Sequence, residues 1–156
     1  MTAYRFLVAA AVALAVLAFV LVLAQRASAP AVAADPVRTP GVLNPDVRQA
    51  TIGTTICVQG WTRTIRPPTE YTNALKRRQM RAYGETGPPS AFQEDHLISL
   101  ELGGHPTDPR NLWPEPYPRA AQVDVIENEL NAQVCSGSLT LAQAQEHESE
   151  LKHARG

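Results

Sequence analysis

Hydrophobic residues recur along this chain in patterns that change from one segment to the next. Phe6 to Ala24 is an unbroken run of Phe, Leu, Val and Ala, with Arg5 before it and Gln25 and Arg26 after it. That length falls between a secretory apolar core of about 7–15 residues and a spanning helix of about 20. Small residues at Ala27, Ala29, Ala31 and Ala33 add sites for signal cleavage. Residues 1–33 are therefore expected to form a signal peptide or an N-terminal membrane anchor, with everything after Arg26 outside the cytoplasm. Residues 34–49 have no hydrophobic period and carry the breakers Pro36, Pro40-Gly41 and Asn44-Pro45, which predicts an Ala/Pro-rich linker.

From residue 50 to 156 the patterning is that of one folded domain. Thr51, Ile52, Thr54, Thr55, Ile56 and Val58 have the composition of a strand ending near Gly60. Thr69 or Thr72 can cap a helix that runs through Leu75, Met80 and Tyr83 and stops at Gly84. After Gly87-Pro88-Pro89, the stretch Ala91–Leu102 is apolar-rich and reads as extended up to Gly103-Gly104. A loop with two prolines follows, and Asn111-Leu112-Trp113 starts a second extended piece that Pro114 is expected to cut short. Between Arg119 and Val134, Val123, Ile126, Leu130 and Val134 recur at helical spacing, while Asp124, Glu127, Asn128 and Asn131 form a polar stripe on another face. Thr140 can cap a last helix that Glu146, Glu148 and Glu150 make solvated. The order strand, loop, strand, helix, with flanking helices, predicts an α+β domain.

Charge narrows the function. Of 14 Lys and Arg residues, Arg5 and Arg26 flank the apolar run, which leaves 12 against 15 Asp and Glu in the exported part. A generally polycationic nucleic-acid binder is excluded, so any phosphate affinity has to come from a local basic cluster or a metal. Lys76, Arg77, Arg78 and Arg81 on one predicted helix, with Arg110 in the loop, are the candidates. The only two cysteines, Cys57 and Cys135, permit a single intramolecular disulfide, which suits an exported chain. Two cysteines cannot build a Cys-rich zinc site.

The segment EDHLISLELGGHPTDPRNLWPEPY and the acidic helix after it resemble the HNH, or ββα-metal, nuclease superfamily. TICVQGWTRTIRPP, the Lys76 helix ending in Tyr83-Gly84, and DHLISLELGG with NLWPEP are similar to a group of small exported bacterial proteins of that kind. The resemblance spans about Ile56 to Cys135. It implies a small ββα core, Asp95 on a divalent metal, His96 as general base, and Asn111 locking the loop by hydrogen bonds to backbone. The helix is expected to return the remaining ligand, with Asp124 first and Glu127 second. Where the narrower group often carries Lys before this Asp, this chain has Val123.

The chemistry agrees with the residue types. Phosphodiester hydrolysis needs a base for water and a cation for the phosphate, and a neutral imidazole can accept a proton at physiological pH. Carboxylate ligands favour Mg²⁺ or Mn²⁺ over Zn²⁺. The expected partner is nucleic acid, DNA before RNA, read without strong sequence preference; nothing in the sequence calls for an oligomer. The competing expectation is an envelope-tethered binding or structural domain that keeps the scaffold without turnover. His105 reads as an exposed loop imidazole, and Trp61 and Trp113 as core or rim aromatics.

Overall fold

The helix that carries the basic cluster begins at Thr69 and ends at Tyr83, where Gly84 adopts the left-handed conformation (φ 76°) that closes it. The computed structural model describes residues 33–154. The apolar run and the leader or anchor expected there lie outside the described residues. Among the described residues no helix is long and apolar enough to cross a membrane.

In chain order the regular elements are α1 (Trp61–Ile65), α2 (Thr69–Tyr83), β1 (Phe92–His96), β2 (Leu112–Pro116), α3 (Tyr117–Ser136) and α4 (Leu141–His153). The architecture is α+β. β1 and β2 form a two-stranded antiparallel sheet in which Asp95 lies opposite Trp113 and His96 opposite Leu112. The expected cut at Pro114 does not occur, and β2 runs through both Pro114 and Pro116. These prolines are two positions apart, so their missing N–H groups both face the unpaired edge. α3 follows β2 without a loop, and its direction is set where the strand ends.

Two other expectations are corrected. Residues 50–61 form no strand: Gln49–Thr54 is a 3₁₀ helix followed by turns. The threonines there bond to nearby backbone instead of packing on a pleat, with Thr51 Oγ1 donating to the Asp46 carbonyl and Thr55 Oγ1 to that of Thr51. Ile52 and Ile56, one helical turn apart, pack with the main core. Likewise, the extended stretch after Ala91 stops at His96, and Leu100–Leu102 is a 3₁₀ turn. Leu97, Ile98, Leu100 and Leu102 are all buried, and a regular strand would have sent alternate members to opposite faces.

Residues 34–49 are packed against the domain, contrary to the linker reading. Ala34 is buried and donates its N–H to the Lys152 carbonyl at 3.0 Å, Leu43 bridges Gly104, and Val47 joins the core. The main core comprises Val47, Ile56, Ile98, Leu102, Leu130, Val134, Leu141 and Ala144. A second cluster of Ala34, Leu97 and Trp113 is joined by Tyr83. Trp113 is therefore a core aromatic, and Trp61 packs at the edge of the main core. Cys57 and Cys135 are joined in a disulfide, which fits an oxidising, extracytoplasmic compartment.

Candidate metal centre

Asp95 is the penultimate residue of β1, and Asp124 and Glu127 lie one turn apart on α3. One ligand atom from each of these three carboxylates lies within 4.8 Å of the other two. The candidates from strand and helix are thus brought together. A Mg²⁺ or Mn²⁺ ion about 2.1 Å from each oxygen needs them no more than about 4.2 Å apart. Asp124 is on the solvent side, whereas Asp95 and Glu127 are turned inward.

A cation already reaches this cluster from α4. Lys152 Nζ, fully buried, lies 2.8 Å from Asp95 Oδ2, 2.6 Å from Glu127 Oε1 and 3.3 Å from Glu148 Oε1, and it also donates to the His96 carbonyl. Sequence reasoning missed Lys152 and expected Glu148 in solvent. Glu148 is instead 1% exposed, and both its oxygens accept from the Ser99 N–H at 3.0 Å. The only sequence signal was the i, i+4 spacing of Glu148 and Lys152, which is also the spacing of an exposed helix pair.

The electrostatics follow from burial with few positive charges. Burial pushes the Glu127 carboxyl up to about 9, against the pull of Lys152. Burial also raises Asp124, and the charge of Asp95 adds to that. Glu115, opposite Gln93 and 3.0 Å from Arg119 Nε, is raised to about 8 by burial and by Asp95. Asp95 runs the other way: burial would raise it, yet the Lys152 ammonium 2.8 Å away brings it down to about 2. Burial with little positive charge raises several of these carboxyls, and their donor set is all hard oxygen. Those residues fit a divalent cation.

His96, the next residue on β1, faces the other way along the pleat. It lines a cavity of about 350 Å³ with Arg66, Thr69, Lys76, Glu94 and Tyr117; the three carboxylates of the cluster are not in that lining. His96 Nε2 is 3.1 Å from the Pro106 carbonyl oxygen. A carbonyl can only accept, so Nε2 carries the hydrogen and the neutral ring keeps its lone pair on Nδ1. Burial lowers the imidazole pKa, with Lys152 and Arg66 acting in the same direction against the Pro106 carbonyl and Asp95. Those influences together favour the neutral ring. Arg66, which sequence reasoning also passed over, lines the same cavity, and its charge lowers both His96 and Asp124.

Asn111 is fully buried in the β1–β2 loop. Its Oδ1 accepts from the Ile98 N–H at 3.0 Å, and its Nδ2 donates to the carbonyls of Ile98 and His105, each at 3.0 Å. Gly104 lies inside the same loop, where a Cβ would stand 1.7 Å from the Ile98 carbonyl oxygen. His105 is a loop acceptor, its Nδ1 taking the N–H groups of Thr107 and Asp108.

The basic candidates do not form one patch on the site. Lys76 lines the His96 cavity and donates to the Phe92 carbonyl at 2.8 Å. Arg77, Arg78 and Arg81 are exposed on α2, and Arg81 bonds the Arg77 carbonyl. Arg110 is paired through two nitrogens to Asp108, whose carboxyl that hydrogen bonding lowers to about 2.

No family model, curated protein or solved structure matches this chain. Fold and geometry define its class: an α+β domain in which a strand and the helix after the sheet gather an acidic cluster, with a buried imidazole next along the strand.

Proposed function

We propose that this chain is a metal-dependent phosphodiesterase of the HNH type, acting on nucleic acid outside the cytoplasm, with DNA the first candidate. The observation that carries the reading is the meeting of the Asp95, Asp124 and Glu127 carboxylates, with His96 following Asp95 on β1, in a strand, loop, strand, helix arrangement. A bound Mg²⁺ or Mn²⁺ would supply positive charge for the scissile phosphate and the leaving oxygen. Asp95 and Asp124 would hold it, with Glu127 behind them. His96 takes a proton from the attacking water through Nδ1, because Nε2 is committed to the Pro106 carbonyl. Asn111 keeps that carbonyl in place by pinning the loop from which it comes. Arg66 and Lys76, on the walls of the His96 cavity, are placed to meet phosphate. The apolar N-terminal run would export the domain or hold it at the membrane.

One observation favours a second reading, a scaffold domain without turnover: Asp95 and Glu127 are already paired with Lys152. Incubation of the purified chain with plasmid DNA and Mg²⁺ or Mn²⁺ separates the two. Cleavage that falls on the order of 100-fold or more in His96→Ala is the expected result for a general base. Nicking that is unchanged in that variant, or absent with both metals, overturns the enzyme reading.

A further inference from the structure

Among the described residues, Lys152 has a setting unlike that of any other cation. It is completely buried near the end of α4, and its ammonium meets carboxylates from three elements: Asp95 on β1, Glu127 on α3 and Glu148 on its own helix. The His96 carbonyl is a fourth oxygen around it. Four oxygens about one buried positive charge resemble the surroundings of a bound ion, and two of the contributing side chains are candidate ligands.

We propose that Lys152 is the built-in cation of this site: its ammonium holds Asp95 and Glu127 in place when no divalent ion is bound, and it sets the affinity for that ion by competing for the same two carboxylates. The inference rests on the reading that Asp95, Asp124 and Glu127 take a divalent cation.

Both halves follow from charge. Without Lys152, Asp95, Glu127 and Glu148 would face one another in a buried space, with Glu115 close by and paired to Arg119. Such a group would repel itself apart or take up protons. With Lys152 present the cluster is assembled in advance, and an incoming ion has no carboxylates to gather. The same ammonium repels that ion. It occupies Asp95 Oδ2 and Glu127 Oε1, leaving Glu127 Oε2, the solvent-facing Asp124, and Asp95 Oδ1, which accepts from Gln93 Nε2 at 3.2 Å. The ion should therefore bind weakly and from the outer side, with most of its remaining positions open to water and phosphate. Lys152 is a positioning residue in this scheme and touches no substrate.

The test uses the full chain and its Lys152→Met variant, with Mn²⁺ as the probe. In chelator the variant should unfold roughly 10 °C or more below wild type, because removing one partner strands buried carboxylates. Mn²⁺ should then restore much of that loss, raising the variant's midpoint more than that of wild type. By calorimetry the variant should bind Mn²⁺ about 10-fold or more tighter, a unit positive charge having been taken from beside the ion. Equal or weaker Mn²⁺ binding by the variant, while wild type binds, overturns the role of Lys152 and leaves the metal reading standing. No Mn²⁺ binding by either protein overturns the metal reading and the inference together. If Lys152→Met does not fold, Lys152→Met with Glu148→Gln keeps the charge balance, and it must also bind Mn²⁺ more tightly than wild type; otherwise the inference fails.

Discussion

Glu94 lies between the basic helix and the cluster, and neither of its carboxylate oxygens has a hydrogen-bond partner within the protein. Burial raises its pKa to about 8, with Lys76 and Arg78 pulling it down and Asp95 pushing it up. The sign of the pH effect follows. Below the unfolded-state value near 4.5 the group is protonated in both states and costs nothing. As pH rises from there through about 8, the unfolded chain releases the proton first and stability is lost; above 8 the loss is complete. Glu94→Gln removes that proton linkage. Its unfolding free energy should match wild type near pH 4 and exceed it by on the order of 2 to 4 kcal/mol near pH 9. Urea unfolding at the two pH values checks this, and an equal difference at both would refute the assignment. Individual chemistry was only partly legible in the sequence. Asp95, Asp124 and Glu127 were singled out by the resemblance, and the structure brings their carboxylates together. Lys152 was not, since its role depends on a helix docking across some 57 residues of chain, which no local spacing encodes.

At the scale of elements, the legible parts were those with a local cause. α2 stops at Gly84 because a glycine there can turn left-handed, and α4 is capped by Thr140, whose hydroxyl accepts from the Gln143 N–H. The segment from Gln49 to Gly60 misled because its β-branched residues imitate a strand, while their hydroxyls and the breaks at Gly53 and Gly60 favour turns. The β1–β2 loop depends on both kinds of information. Asn111 marks its end in the sequence, yet its three hydrogen bonds exist only once Ile98 and His105 have come round to it. Asn111→Ala leaves a buried N–H and two carbonyls without that partner and should cost about 3 kcal/mol of stability. It should also free the Pro106 carbonyl that fixes the His96 ring, shifting the imidazole signals in an NMR titration. A loss under about 1 kcal/mol with unchanged His96 signals would show that the loop is held by other contacts.

Across the whole molecule, the two ends of the described chain meet at the cluster. The Ala34 N–H bonds the Lys152 carbonyl, and His153 Nε2 lies 2.9 Å from the Thr39 carbonyl, so the segment before residue 50 seats the end of α4 that carries the ammonium. A second long-range closure is covalent. The Cys57–Cys135 disulfide spans 78 residues, and that loop contains both strands, Asn111 and nearly all of α3. Constraining a loop of that length in the unfolded chain contributes about 4 kcal/mol in the chain-entropy account. The disulfide meets the main core through Cys57, and its cysteines line a different cavity from that of His96. Its effect should therefore fall on global stability and not on the cluster's geometry. Replacing both cysteines with alanine should lower the urea-extrapolated unfolding free energy by about 4 kcal/mol, while the His96 imidazole signals stay at their wild-type positions. A change below about 1 kcal/mol would mean that the unfolded chain already holds these segments close, and displaced His96 signals would mean that the bridge shapes the site as well as the fold.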